Sequence, residues 1–247
     1  MNTNNLKLCA WAGPIFCLLM VVGYLLTSSV SLAPINPLAS AETVAQLYQE
    51  NSMSIRAGLI IMVFGAAFYA PFAAVTTVLM SRMGNKNPVL IITFAFVAAA
   101  LTVGLYVILV PFGAASYRVD GPAEITRAFH DYTFLFLLWP GTLMPVMYMA
   151  LGLAVLGDSR EIKIFPRWFA FYSFWSALLA LTGCFIVFFK SGPFALNGLF
   201  AFWVNLSVFF AWFVMVSVLQ IQSVSRELIA ERKQLGAISN APQGVLA

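Results

Sequence analysis

The chain of 247 residues is 62% hydrophobic and only 9% charged. A soluble globular domain carries about 25% charged residues, so this composition excludes one and predicts an integral membrane protein. The net charge is +4, but the lysines and arginines stand singly between apolar runs. A nucleic-acid binder concentrates such residues on one solvated face, so we expect no nucleic-acid partner and take the membrane lipids as the immediate surroundings.

The few cysteines and the single histidine argue against metal and haem chemistry. Cys9, Cys17 and Cys184 all fall within apolar runs, where a free thiol behaves as a small hydrophobic group, so no disulfide framework is predicted. No Cys-x-x-Cys or Cys/His spacing typical of a metal site occurs, and one histidine cannot supply both ligands of a bis-histidine haem. The sequence therefore predicts neither a metal nor a cofactor.

Six apolar runs are each long enough to cross a bilayer as a helix. The predicted helices cover about residues 9–30, 57–80, 88–115, 132–157, 165–189 and 196–220. The first run is longer than a usual signal-peptide core, so we expect a retained helix. The sequence thus predicts an all-α polytopic fold in one domain, residues 1–220. A tail over 221–247 follows, with a short helix and then a disordered end.

The segments between and within these helices carry recognisable signals. Ser40 and Glu42 predict a short amphipathic helix in the first loop, which we interpret as a structural lid rather than a substrate gate. Pro140 and Pro145 predict a bend or an unwound turn in the fourth helix. In the second helix a stripe of small residues predicts close contact with a neighbouring helix, and the stripe consists of Ala66, Ala70, Ala73 and Thr77.

The basic residues divide unevenly between the two sides of the predicted bundle. Nine fall on the side that holds both termini, namely Lys7, Arg82, Lys86, Arg160, Lys163, Arg167, Arg226, Arg232 and Lys233. Four fall on the other side, namely Arg56, Arg118, Arg127 and Lys190. Since cytoplasmic loops carry the excess of Lys and Arg, both termini are predicted to be cytoplasmic.

Candidate functional residues are few. No ionisable residue falls in the middle of a run, which disfavours ion-coupled transport, and the common nucleotide, hydrolase and metalloprotease motifs are absent. Polar residues that the topology brings to the outer ends of the helices are Arg56, His130, Asp131, Lys190 and Asn197. Together they either line an outward-facing ligand mouth or anchor the helix ends among lipid headgroups.

The last two helices add a polar group inside the membrane, Asn205. It lies four residues beyond Ala201 and faces a partner helix with small residues at Ser173, Ser176, Ala177, Ala180, Gly183 and Cys184. One interpretation is a cavity in which the Asn205 amide binds a ligand. The other is close helix packing, with Asn205 hydrogen-bonded to a serine or threonine across the interface.

The same hairpin carries a resemblance. The sequences Phe-Pro-Arg-Trp at 165–168 and Phe-Phe-Lys-Ser-Gly-Pro-Phe at 188–194, with Ala-Ala-Phe-Tyr-Ala-Pro-Phe at 66–72, resemble uncharacterised six-helix integral membrane proteins of bacteria. The resemblance implies an intact six-helix protein of the bacterial plasma (inner) membrane. It implies no reaction, ligand or catalytic residue.

Three functional hypotheses follow from the sequence. The first is the binding or passage of a small hydrophobic molecule, favoured by aromatic helices without embedded charge. The second is a non-catalytic subunit of a larger membrane complex, with a membrane protein partner. The third is a membrane enzyme that uses His130 and Asp131, since an oriented His beside a carboxylate can act as general acid or base.

Overall fold

The computed structural model describes residues 3–31, 34–84, 87–139 and 142–239. Within these residues the regular secondary structure is helical, and six helical segments are long and apolar enough to cross a membrane. These spans, numbered first to sixth in chain order, are Asn5–Leu26, Ser52–Ser81, Pro88–Tyr117, Ala123–Gly157, Arg167–Phe188 and Leu199–Ile229. The predicted all-α fold of a multi-pass membrane protein is confirmed.

The described part of the chain contains eleven α-helices. They are α1 Thr3–Ala10, α2 Ala12–Leu26, α3 Ser28–Ser31, α4 Ala41–Glu50, α5 Ser52–Ala67, α6 Tyr69–Ser81, α7 Pro88–Tyr117, α8 Ala123–Leu138, α9 Leu143–Gly157, α10 Arg167–Ala180 and α11 Asn205–Ser239. A 3₁₀-helix, Leu181–Phe188, completes the fifth span, and a π-helix, Leu199–Val204, begins the sixth.

Several helix bounds differ from the prediction. The first span covers Asn5–Leu26 rather than 9–30, and the second begins at Ser52 rather than residue 57. The fourth begins at Ala123 rather than residue 132, because Pro122 occupies the N-cap position and Arg127 pairs with Asp131 one turn later, so the polar segment continues as helix. In the sixth, α11 continues unbroken to Ser239, so the short helix predicted in the tail is an extension of the span. The predicted disordered end, beyond residue 239, lies outside the described residues.

Three spans are interrupted, and the first breaks at Trp11, between α1 and α2, where the Trp11 N–H bonds the Leu8 carbonyl at 3.2 Å. The second breaks at Phe68, since Pro71 lacks the N–H that would bond the Ala67 carbonyl, and the Phe68 N–H bonds the Gly65 carbonyl at 3.0 Å in a tighter turn. This break divides the small-residue stripe, so that Ala66 and Ala73 are buried while Ala70 is exposed. The fourth span is interrupted between α8 and α9, at the Trp-Pro-Gly sequence that predicts it, although residues 140 and 141 lie outside the described residues.

Different loops meet at the two ends of the bundle. At one end Gly84 bonds Asp158, and Arg82 pairs with Glu227. We call this the basic end, formed by residues 81–84, 158–167 and 222–229. At the opposite end, the lid end, the Arg127 guanidinium donates to the Pro37 carbonyl at 3.5 Å. The loops therefore group as the charge distribution predicts, while the cytoplasmic location of the basic end stays a prediction.

The six spans form a ring in which each packs against the next and the sixth packs against the first. The first two spans approach most closely through glycines: a Cβ on Gly58 would lie 2.5 Å from the Gly23 carbonyl oxygen. Towards the basic end the ring is filled by buried aromatic side chains, among them Phe16, Phe72, Phe213 and Trp212. Nearer the lid end, the centre of the ring is open.

Candidate ligand cavity

A cavity of about 220 Å³ lies at the centre of the ring, and all six spans contribute to its wall. The longest lining surface is one face of α7, from Ala100 to Phe112. The wall consists mainly of leucine, methionine and phenylalanine side chains and includes no Asp, Glu, Lys, Arg or His among the described residues. Its polar side chains are Tyr24, Tyr69, Thr133, Tyr148 and Asn205. A site with these walls suits an uncharged, largely apolar occupant.

Two aromatic layers flank the cavity, one towards each end of the bundle. On the side of the basic end, Tyr69 packs on Phe16 at a ring-centroid distance of 5.5 Å, and Tyr148 packs on Trp212 at 4.3 Å. On the side of the lid end, Phe112 lies 6.2 Å from Phe134. Because such aromatic contacts hold rings in fixed relative orientations, the cavity has a preformed floor and roof.

The wall coincides with irregular backbone in three spans. The break in the fourth span separates lining residues Leu138 and Leu143, and the fifth span changes from α-helix to 3₁₀-helix directly after lining residue Ala180. In the sixth span the π-helix ends at Val204, immediately before Asn205. Irregular helix at membrane depth is tolerated where protein or a cavity surrounds it, and π-helical turns occur frequently at functional sites.

Asn205 is the only predicted site residue that lines this cavity. Its Nδ2 donates to the Thr182 hydroxyl at 3.2 Å and to the Ala201 carbonyl at 3.1 Å. The Thr182 hydroxyl in turn bonds the carbonyls of Leu179, at 2.8 Å, and Phe200, at 2.7 Å. Asn205 therefore makes the hydrogen bond across the hairpin that one interpretation predicts, and it also lines a cavity, while ligand binding by its amide stays a prediction.

Gly183 makes this arrangement possible. A Cβ at this position would lie 2.8 Å from Asn205 Nδ2 and 2.9 Å from the Leu138 carbonyl oxygen, so no larger residue fits without displacing its neighbours. The sequence identified Gly183 as part of a small-residue face. The rest of that face is occupied within the protein: Ser173, for example, accepts a hydrogen bond from the Trp212 indole at 3.1 Å.

His130 is buried beneath the lid helix α4, with 1% of its surface exposed. Its Nδ1 lies 3.1 Å from the Tyr48 hydroxyl, and its Nε2 has no partner among the described residues. The His130 ring also packs on Phe134 of the cavity roof at 4.6 Å. Burial raises the pKa of Tyr48, so its hydroxyl stays protonated. The pair joins the lid to the roof of the cavity.

The lid helix itself forms as its sequence predicts. Ser40 caps α4 by accepting a hydrogen bond from the Thr43 N–H at 3.3 Å, with Glu42 in the first turn. Val44 and Tyr48 are buried on its inner side. Tyr48 is a site residue that the sequence analysis did not assign, although its place on the apolar side of a capped helix was the available signal.

Asp131 is the neighbour of His130 in α8 but has a different partner. Successive helical residues point about 100° apart, so Asp131 lies at the surface, where its carboxylate is 3.7 Å from the Arg127 guanidinium. Lys190 is exposed and lies near enough for its charge to act on Asp131. Asn197 is half-buried in the loop before the sixth span.

Arg56, in the second span, binds the end of α7. Its guanidinium donates to the Ser116 carbonyl at 2.9 and 2.6 Å and to the Tyr117 carbonyl at 3.2 Å. These carbonyls end α7 and have no intrahelical donor, so Arg56 caps that helix. Four of the five outer residues therefore divide among a helix cap, a buried aromatic pair and a surface charge group, while Asn197 belongs to none of these.

A further buried charge, Asp158, organises the basic end. Its Oδ1 accepts from the N–H groups of Gly84 at 2.9 Å and Arg160 at 3.1 Å, and its Oδ2 accepts from Ile164 at 3.1 Å. Burial alone would raise the pKa of Asp158, but these three donors and the Arg160 guanidinium lower it below its usual range. Asp158 thus stays ionised and ties two loops together.

Comparison of the chain with family models, with curated proteins and with solved structures gives no match. The resemblance of the hairpin to six-helix bacterial membrane proteins therefore stays a prediction. Any functional argument rests on the cavity and its lining residues.

Proposed function

We propose that the protein binds a small, uncharged hydrophobic molecule in the central cavity, as a multi-pass protein of a bacterial plasma membrane with both termini in the cytoplasm. The observation that carries this proposal is the cavity itself, which lies between two aromatic layers and is lined by the irregular turns of three spans. A tightly packed bundle would fill this volume with side chains, since protein interiors normally leave few voids larger than a water molecule.

The volume limits the size of the ligand. An engineered apolar cavity of about 150 Å³ holds one benzene molecule. By the same scaling, the cavity of about 220 Å³ accommodates roughly nine non-hydrogen atoms. A single substituted ring or a short branched hydrocarbon fits this limit, whereas a whole phospholipid does not.

The wall also limits the charge of the ligand. A charged group in an apolar site costs several kcal/mol unless a partner of opposite charge is present. No described lining residue is Asp, Glu, Lys, Arg or His. A neutral molecule, soluble in the surrounding lipid, is therefore the ligand class that we propose.

The two other hypotheses have weaker support. The complex-subunit hypothesis is based on the small-residue faces and the charged C-terminal helix, but Ser173, Ser176 and Ala177 of the small-residue face on the fifth span are buried within this chain. The enzyme hypothesis needs His130 and Asp131 to cooperate, but their side chains point to different sides and pair with Tyr48 and Arg127.

Equilibrium dialysis with p-xylene, an uncharged substituted benzene within this size limit, tests the proposal. A Cβ at Gly104, on the cavity face of α7, meets no atom within 4 Å, so Gly104→Phe would fill the cavity. Gly113 on the same helix also has open space around it but lies in a shallow groove outside the cavity, which makes Gly113→Phe the matched control.

We expect saturable p-xylene binding by the detergent-solubilised wild type and by Gly113→Phe, above a protein-free micelle blank, and at least a tenfold weaker affinity in Gly104→Phe. Absence of saturable binding in the wild type would refute the proposal. Equal binding by all three proteins would also refute it, because the ligand would then occupy another surface.

A further inference from the structure

The amide of Asn205 presents a defined atom for ligand recognition. Both hydrogens of its Nδ2 have acceptors, the Thr182 hydroxyl oxygen and the Ala201 carbonyl. Thr182 can only accept from Asn205, because it gives its own proton to the carbonyls of Leu179 and Phe200. These acceptors establish which amide atom is nitrogen, and they leave Oδ1 as the unused polar atom of the side chain.

The position of Oδ1 follows from its neighbours. Nδ2 faces the fifth span, where a Cβ on Gly183 would lie 2.8 Å away, whereas the side-chain carbon Cγ would be 3.6 Å away. Oδ1 is therefore directed away from Gly183. No described residue donates a hydrogen bond to Oδ1, and Asn205 lines the cavity.

From this geometry we infer that the cavity selects hydrophobic molecules that carry a hydroxyl or N–H group, and that Asn205 determines this specificity by accepting their hydrogen bond through Oδ1. The inference rests on the proposed binding function and narrows it to a class of ligand. An apolar molecule leaves this amide oxygen unpaired, and a ketone or ether places a second acceptor against it. A hydrogen-bond donor satisfies the oxygen.

Three other polar side chains of the wall have hydrogen-bonding arrangements that differ from that of Asn205. Thr133 donates its hydroxyl proton to the Phe129 carbonyl at 2.8 Å, and Tyr69 donates to the Met147 sulfur at 3.5 Å. Tyr148 lies in the floor against Trp212 and keeps a hydroxyl that can donate or accept. Tyr148 is therefore the alternative recognition group that an experiment must separate from Asn205.

Three probes of one scaffold supply the test: p-cresol, which has a phenolic hydroxyl, 4-methylanisole, its methyl ether, which can only accept, and p-xylene, which has no polar group. Affinities are measured by equilibrium dialysis for the wild type, Asn205→Leu and Tyr148→Phe. The ratio of p-cresol to ether affinity in the wild type, divided by the same ratio in Asn205→Leu, cancels micelle partitioning and the extra methyl group. One net hydrogen bond predicts a double ratio of about two to twelve.

The outcomes separate the inference from the function on which it rests. If p-xylene binds but the double ratio is one, the specificity inference is overturned and the cavity remains a binding site. If the preference for p-cresol survives in Asn205→Leu and disappears in Tyr148→Phe, Tyr148 is the recognition group and the inference is wrong. If none of the three probes binds saturably to the wild type, the proposed function itself fails.

Discussion

Replacement of Asp158 tests how the basic end is held together. In Asp158→Ala the N–H groups of Gly84, Arg160 and Ile164 lose their acceptor in a site where the aspartate is 3% exposed. Each unpaired buried donor costs about 1–3 kcal/mol. Since the loops relax and such costs are not additive, we expect the free energy of unfolding to fall by about 3–5 kcal/mol, as for other broken buried charge sites.

The conservative variant Asp158→Asn should lower the free energy of unfolding by a smaller amount. Asp158→Asn keeps one oxygen, which can still accept from Gly84 and Arg160, but its amide nitrogen faces the Ile164 N–H. We therefore expect the loss of about one charged hydrogen bond, roughly 1.5–3 kcal/mol. Asp131→Asn, at a half-exposed i,i+4 pair, is the control and should cost no more than about 0.5 kcal/mol.

Denaturant titration of the three variants in mixed micelles measures these differences. The expected order of destabilisation is Asp158→Ala, then Asp158→Asn, then Asp131→Asn. If Asp158→Ala were no more destabilising than Asp131→Asn, the loops of the basic end would not depend on this carboxylate, and the reasoning would be refuted.

The same site predicts a pH dependence with a definite sign. Because the folded protein lowers the pKa of Asp158, ionisation of Asp158 stabilises the fold at every pH above the unfolded-state value of about 3.9. The contribution disappears as the pH falls through the folded-state value. The stability difference between wild type and Asp158→Asn should thus stay constant from pH 8 to pH 5 and shrink below about pH 4. A difference that shrank between pH 8 and pH 6 would contradict the assignment.

Three further predictions concern the spans and the lid. Gly58→Leu should prevent the first two spans from packing, since its Cβ would lie 2.5 Å from the Gly23 carbonyl oxygen, and this is checked by yield of monodisperse protein. Arg56→Gln should destabilise the protein by about 1–3 kcal/mol through loss of the charged cap on the third span; an unchanged midpoint in denaturant would contradict this. Tyr48→Phe removes the partner of buried His130 and should raise amide hydrogen exchange in the lid helix; exchange equal to wild type would contradict it.

Much of the fold was predictable because the bilayer imposes simple rules. A span needs about twenty apolar residues, and the six runs meet that length without ambiguity. The interruption between α8 and α9 was predictable from the Trp-Pro-Gly sequence, whereas the break at Phe68, three residues before Pro71, was not predicted. The start of the fourth span was not predictable, because the polar segment 123–131 contains no apolar run. The helix in this segment depends on the Pro122 cap and on the burial of His130 beneath the lid.

The candidate site was predictable only in part. Asn205 was identifiable as a lone amide in an apolar run, and the structure brings it to the cavity wall. Arg56, His130, Asp131, Lys190 and Asn197 were grouped because they share one end of the bundle. In the structure Arg56, His130 and Asp131 have separate partners. Which side chains meet depends on the direction in which each side chain points from its helix, and the topology does not determine that direction.

The sequence by itself determined that this is a polytopic helical membrane protein, that its basic loops gather at one end, and that its interior carries almost no charge. The length of an apolar run and the position of a charged residue are properties of one stretch of sequence, so they can be read directly from it. The tertiary structure alone decided that the six spans enclose a cavity and that Asn205 Nδ2 is committed to Thr182 and Ala201. Those features depend on how distant spans pack against one another, and no single stretch of sequence specifies that packing.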